Sequence, residues 1–315
     1  VSKKLDVPIV SIGMCTYNSQ NTIDRAIKSV LEQEFKYWEL LVVDANSHDQ
    51  TLRKVIKFSQ KDNRIKHFSL NYQSPWVESS LIALNYASGK YFMFLDGDDF
   101  ISSNYISCLI NEFSDKSIVG SVGRVNLIDT SGVIIDNNPS TNNIFKFTSS
   151  SKHWYRVSGA LLTPESLGLV NCLYGLWNKD YLRNLDLWKK ETRTKNFDQI
   201  FVLNALKKGK IKYTNKTIQF RSSFRAGPAK GKNIIKRITF LRNAIQFFVT
   251  IPPVHSYFIW IVKNMSSASF LYLFIVILRT IISSFVYVWI LMYKRSGLII
   301  TKLTSPRLSE TNSRD

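Results

Sequence analysis

The sequence predicts an α/β fold, a mostly parallel central sheet with helices on both faces, followed by a separate helical, basic C-terminal region. Three observations lead there. Strand-like apolar runs alternate with helix-like segments through roughly the first hundred residues. Three of those runs stop abruptly at polar or acidic side chains. From about residue 234 the composition becomes both basic and strongly apolar.

In chain order, "PIVSIGMCTYN" (8–18) reads as a strand that ends in Thr16, Tyr17 and Asn18. "NTIDRAIKSVLEQ" (21–33) carries Ile23, Ala26, Ile27, Val30 and Leu31 at helical spacing. "WELLVVDANS" (38–47) is a buried strand ending in Asp44, with Asn46 just beyond. "QTLRKVIKFSQ" reads as a helix, "RIKHFSL" as a strand, "VESSLIALNYA" as a helix and "KYFMFLDGDD" as a fourth strand. Residues 118–162 read as less regular strand and loop, with a turn at "DTSG" (129–132). "DQIFVLNALKKGKIKYTNKTIQFR" (198–221) reads as helix, glycine turn and strand. Neither a G-x-G-x-x-G nor a phosphate-binding G-x-x-x-x-G-K-[ST] loop is present.

Strand–helix alternation implies parallel strands, and open α/β sheets bind ligands beyond the carboxyl ends of their strands. The three polar strand ends therefore fall on one edge. The fourth strand ends in Asp96, Asp98 and Asp99, and like charges so close repel unless something positive compensates them. A hard divalent cation, Mg²⁺ or Mn²⁺, is the expected partner, held by few protein oxygens and completed by phosphate oxygens. The competing reading is a solvated acidic turn or helix cap. Arg221 and Arg225 could meet a diphosphate, but isolated on a basic strand they read as solvated, and the four histidines show no metal-ligand spacing.

The 315 residues are 45% apolar and carry a net charge of +19. That charge is concentrated: residues 199–309 hold 18 Lys and Arg and no Asp or Glu. Such a segment seeks an anionic partner, whether nucleic acid, lipid or phosphorylated substrate. It also contains "FLYLFIVILRTIISSFVYVWILM" (270–292), 23 residues with Arg279 as the one charge. That is long enough to cross a bilayer core of ~30 Å as a helix. The polar stripe Arg279, Thr280, Ser283, Ser284 and Tyr287 suits an interfacial helix or an oligomer bundle equally well. Three widely spaced cysteines form no disulfide framework and point to a reducing compartment. Val1 to Asp6 are polar and show no secretory-leader pattern.

Residues 10–51, "VSIGMCTYNSQNTIDRAIKSVLEQEFKYWELLVVDANSHDQT", with "ASGKYFMFLDGDD" after them, resemble the opening blocks of family 2 glycosyltransferases. A weaker similarity runs through "LYGLWNKDYLRN" (173–184) and "FDQIFVLNALKKGKI" (197–211) to about residue 225. The resemblance implies a GT-A nucleotide-diphospho-sugar transferase domain over residues 1–230, and leaves 231–315 as a membrane-associated appendage. It implies inverting transfer from a UDP-, GDP- or dTDP-sugar to an acceptor hydroxyl on a glycan or lipid-linked saccharide. By position, Thr16, Tyr17, Asn18, Asp44 and Asn46 match the nucleotide edge, and Asp96 and Asp98 the donor site. Asp98 and Asp99 match the metal ligands, and Asp198 matches the general base.

The sequence departs from the family pattern at Ala45 and Phe197, where acidic residues are common, and at Leu81, where relatives carry Asn. It lacks Gln-x-x-Arg-Trp, which argues against a processive synthase. The expected setting is the cytoplasmic face of a membrane, peripheral or held by a single C-terminal anchor, with anionic lipid as partner. Homo-oligomerisation would run through the C-terminal helices, and no nucleic acid is expected. The alternatives are a basic nucleic-acid-binding protein and a catalytically inactive glycan-binding relative.

Overall fold

The computed structural model describes residues 7–136, 145–163, 169–185 and 197–222, together with Phe274, Ile277, Leu278 and Ile281. The apolar run at 270–292 therefore lies outside the described residues apart from those four positions, which are helical and exposed. Among the described residues no helix is long and apolar enough to cross a membrane.

The first half follows the alternation read from the sequence. Strands β1 (Val10–Thr16), β2 (Trp38–Asp44), β3 (Ile65–Ser69) and β4 (Tyr91–Asp96) are joined by helices α1 (Ile23–Leu31), α2 (Thr51–Lys61) and α3 (Trp76–Tyr86). All three strand pairings among them are parallel: β1 with β2, β1 with β4, and β2 with β3. Side chains alternate strictly. Leu40, Val42, Met93 and Leu95 face one layer with Ile23, Ile27 and Val30 of α1. Leu41, Val43, Phe92 and Phe94 face the other with Ala83 and Leu84 of α3. Each such buried side chain contributes ~1.5–3 kcal/mol relative to exposure. Both faces are covered, so these strands read as unbroken apolar runs.

The second half differs from the mostly parallel sheet expected. After β5 (Phe100–Ile101) and α4 (Tyr105–Ile110) come β6 (Ile118–Ile128) and β7 (Ile134–Asp136). Next are α5 (His153–Leu162), β8 (Leu176–Asn178), α6 (Lys179–Arg183), α7 (Phe197–Lys208) and β9 (Lys210–Ser222). The sheet order is β3-β2-β1-β4-β8-β6-β9-β5, with β7 on β6. β8 runs antiparallel to both β4 and β6, and β5 antiparallel to β9, whereas β6 and β9 are parallel. β8, entered from the short helical turn Leu169–Tyr174, runs opposite to both its neighbours, so the sheet is mixed. Residues 118–128, expected to be irregular, form one of the longest strands described.

The sheet is pinned at the start of β2 by Glu39, which is 2% exposed. Its carboxylate accepts from Ser11 Oγ (2.7 Å), Ser88 N (2.7 Å), Ser88 Oγ (2.6 Å) and Lys66 Nζ (2.9 Å). It thus ties β1, β3 and the turn before β4 together. Burial pushes its pKa up, but the hydrogen bonds from Ser88, Lys66 and Ser11 prevail and hold it at about 2. A depressed carboxylate stabilises the fold above its unfolded pKa of 4.5, and that stability is lost as pH falls towards about 2. Glu39→Gln is expected to cost on the order of 3 kcal/mol at neutral pH. Acid melts of the two proteins should converge between pH 4.5 and 2. A constant gap across that window would show that Glu39 acts by shape rather than charge.

Candidate active site

Register brings the three polar strand ends together. Thr16 lies opposite Asp44, and Cys15 opposite Asp96. Beyond this edge opens a cleft of about 430 Å³, a volume suited to a small-molecule ligand. Thr16, Tyr17 and Asn18 line it, as do Asp96, Gly97 and Asp98. Trp76, Ser79 and Ser222 add a wall drawn from α3 and the end of β9.

The β1 and β2 ends form a stitched loop pair. Asn18 (φ 49°) and Asn46 (φ 64°) both adopt the left-handed conformation, which Asn tolerates better than most residues. Asn18 N donates to Ser47 Oγ (2.9 Å), and His48 N donates to Asn18 Oδ1 (2.9 Å). Asp44, buried, accepts from Ser47 N (3.0 Å) and Ser47 Oγ (2.5 Å). Asp44 and Asn46 therefore shape the loop from behind, and Ala45 between them reaches the cleft.

The three carboxylates of the acidic turn have three different environments. Asp96 accepts from Trp76 Nε1 (2.7 Å) and from Tyr174 OH (3.0 Å), one bond on each oxygen. Asp99 points inward, 2% exposed. It accepts from Ser222 N (2.9 Å) and pairs with Arg221 Nε (3.4 Å). Asp98 is the carboxylate presented to the cleft, and among the described residues no side chain hydrogen-bonds to it. Its backbone carbonyl accepts from Arg25 Nη2 (3.2 Å) and Ser222 Oγ (2.8 Å), which fix the turn while leaving the carboxylate available. Gly97 permits the close approach to β1: a Cβ there would sit 2.7 Å from Thr16 Oγ1.

Arg221 is the positive partner that the sequence reading discounted. It is largely enclosed, stacks 3.8 Å over the Tyr174 ring and donates to Asn171 Oδ1 (2.7 Å). Burial works against its charge, but Tyr174, Asp99 and Asp96 prevail and raise its pKa. It compensates the cluster only in part. Burial raises the pKa of Asp96, and burial with the Asp96 charge raises Asp99. Asp98 is pushed up to about 6 by burial and then by Asp96. The residues the sequence did not flag are Trp76, Tyr174, Arg25 and Ser222, and Arg221 was read as solvated. Arg25 and Tyr174 lay in stretches quoted for the family resemblance, and Arg221 and Ser222 in its weaker continuation.

The donor set decides whether these residues suit a divalent cation. Among the described residues no three His, Cys, Asp or Glu side chains converge as a protein-only cage. Asp98 is an unpaired carboxylate in a cleft, and the buried Thr16 Oγ1 beside it lacks a hydrogen-bond partner. One carboxylate plus waters and ligand phosphates is a normal arrangement for Mg²⁺-like ions, so the donor set fits. Asp99, engaged by Arg221 and Ser222, does not face the cleft as the sequence reading expected.

Asp198 lies in the first turn of α7 and is not among the lining residues. Its Oδ1 accepts from Gln199 N (2.8 Å). The helix start nevertheless abuts the cleft wall, because Phe197 packs edge-on against Trp76 with ring centroids 6.1 Å apart.

Comparison with known proteins agrees with this architecture. Residues 11–162 match the family "Glycosyl transferase family 2". An Escherichia coli UDP-Glc:alpha-D-GlcNAc-diphosphoundecaprenol beta-1,3-glucosyltransferase is 37% identical over 130 residues, 41% of this chain and 51% of that protein. A Campylobacter jejuni GalNAc(5)-diNAcBac-PP-undecaprenol beta-1,3-glucosyltransferase is 36% identical over 110 residues, 35% of this chain and 36% of that protein. The chain thus spans about half the length of the first relative and about a third of the second. Among solved structures, a Pyrobaculum calidifontis mannosyltransferase in complex with GDP-Man and Mn²⁺ aligns with a TM-score of 0.57 at 13% identity. It covers 94% of this chain and 80% of that one. S. aureus TarS 1-349 aligns at 0.55 and 19% identity, covering 86% and 71%. These likenesses show a GT-A-like α/β fold with a mixed sheet. Residues 11–162 are a glycosyl transferase family 2 domain.

Proposed function

We propose that the protein is a metal-dependent inverting glycosyltransferase that moves a sugar from a nucleoside-diphosphate sugar to an acceptor hydroxyl. The observation that carries this reading is the cleft at the joined ends of β1, β2 and β4, with Asp98 presented to it inside the family 2 domain. The relatives named for undecaprenol-linked substrates favour a lipid-linked saccharide as acceptor. The GDP-Man and Mn²⁺ held by one structural neighbour favour a nucleotide sugar and a divalent ion.

In this reading the residues divide the labour. Thr16, Tyr17 and Asn18 form the nucleotide edge of the cleft. Asp98 and the donor phosphates would hold Mg²⁺ or Mn²⁺, whose charge stabilises the departing diphosphate. Asp99, Arg221 and Ser222 keep the turn in place. Asp198 takes the acceptor proton as general base, and a single in-line attack inverts the anomeric centre.

We further propose that the basic C-terminal region, residues 231–315, holds the catalytic domain at an anionic membrane surface. Phe274, Ile277, Leu278 and Ile281 recur at helical spacing, and all four are exposed. Nearby Lys and Arg side chains would each contribute ~1 kcal/mol among lipid phosphates.

The test is a panel of UDP-, GDP- and dTDP-sugars with Mn²⁺, read by calorimetry and by release of nucleoside diphosphate, and flotation on anionic liposomes. Manganese-dependent binding of at least one nucleotide sugar is the expected result, and binding of none overturns the enzymatic reading. A protein that floats no better than a truncation at residue 230 overturns the membrane reading.

A further inference from the structure

Trp76 carries no motif that assigns it a role, yet it is held from several sides. It opens α3, its indole N–H donates 2.7 Å to Asp96 Oδ1, and three rings pack around it. Phe94 lies at 5.4 Å, Tyr174 at 6.1 Å and Phe197 at 6.1 Å between centroids. The side chain is only partly buried and lines the cleft beside Asp96 and Ser79. One edge of the indole is thus bonded to the acidic turn, and the ring touches the residue that precedes Asp198.

In the reaction proposed above, the anomeric carbon must sit between the diphosphate, at Asp98, and the base, at Asp198. Trp76 is bonded to the acidic turn through Asp96 and packs against Phe197, the neighbour of Asp198. We propose that Trp76 is the wall against which the transferred sugar lies, and that Asp96 is a positioning residue that fixes the indole for it. A pyranose presents C–H bonds on its flatter face, and these complement the negative face of an aromatic ring. The nucleoside would lie toward Tyr17 and Asn18, which also line the cleft. Asp96 acts here through the tryptophan, since one oxygen is bonded to the indole and the other to Tyr174.

This inference rests on the glycosyltransferase reading, and the experiment separates the two. Trp76→Phe and Trp76→Leu are titrated, with Mn²⁺, against the nucleotide sugar that the wild type binds and against its parent nucleoside diphosphate. Affinity for the nucleoside diphosphate should stay within about twofold in both variants, which also certifies their folding. Affinity for the nucleotide sugar should fall about tenfold in Trp76→Leu and by less in Trp76→Phe, which keeps a ring. Indole emission should change on binding the nucleotide sugar in the wild type and change less in Trp76→Phe. Equal losses for sugar and parent diphosphate, or no loss for either, would overturn the proposal and leave the enzymatic reading intact. Failure of the wild type to bind any nucleotide sugar would remove both.

Discussion

Asp98→Ala should abolish manganese-dependent turnover, with kcat/KM falling about 10³-fold or more, because a bound divalent ion supplies several kcal/mol of transition-state stabilisation. The same variant is expected to melt higher than the wild type when no metal is present. The sign follows from the environment of the carboxylate. Burial first, and the neighbouring Asp96 second, raise its pKa from 3.8 to about 6. The folded state therefore holds that proton more tightly than the unfolded chain, and stability falls as pH rises through the 3.8 to 6 window. At pH 7 the full penalty is present, on the order of 1–2 kcal/mol after allowance for partial solvation. Alanine removes it. Differential scanning fluorimetry at pH 7, with and without Mn²⁺ and UDP, decides the matter. The wild type should gain stability from the pair of ligands, and Asp98→Ala should gain little. Equal ligand stabilisation in the two proteins would show that the cation is held elsewhere.

The same carboxylate shows what a sequence can and cannot reveal. The edge formed by Thr16, Asp44 and Asp96 was legible because β1, β2 and β4 are buried on both faces. Continuous apolar runs have visible ends, and a parallel sheet puts those ends together. Helix α7 and strand β9 were legible for a similar reason, with Gly209 between them marking the turn. The strand at 118–128 was not. Its pattern is broken by glycines that serve packing: a Cβ at Gly120 would lie 2.5 Å from the Trp177 ring. A strand that yields side-chain volume to a neighbour's tryptophan loses the signal by which strands are recognised.

Arg221 was hidden for a different reason. On a strand rich in Lys and Arg, nothing local separates a solvated cation from a buried one. What separates it is the return of β9 to the acidic turn 120 residues away, seen in the Gln219–Asp99 contact. The division of work among Asp96, Asp98 and Asp99 is likewise a tertiary property. It is set by Trp76, Tyr174 and Arg221, which arrive from three separate segments.

Asp198→Asn should leave donor binding unchanged and reduce turnover by ~10²–10⁴-fold, the usual range for loss of a general base. The carboxylate occupies the first turn of α7, at the positive end of the helix dipole. That placement suits it to accept a proton only if the acceptor hydroxyl is brought close, which the contact of Phe197 with Trp76 makes sterically reasonable. Asn preserves the size of the side chain and can still accept from Gln199 N, so the helix start should persist and the melting temperature should move by little. The informative measurement is the rate at saturating donor and acceptor, alongside the slow hydrolysis of donor by water. Loss of transfer with retained nucleotide-sugar affinity would assign the proton to Asp198. Near-normal transfer would reduce Asp198 to a helix-terminal carboxylate, and the base would then have to be sought among the groups that line the cleft.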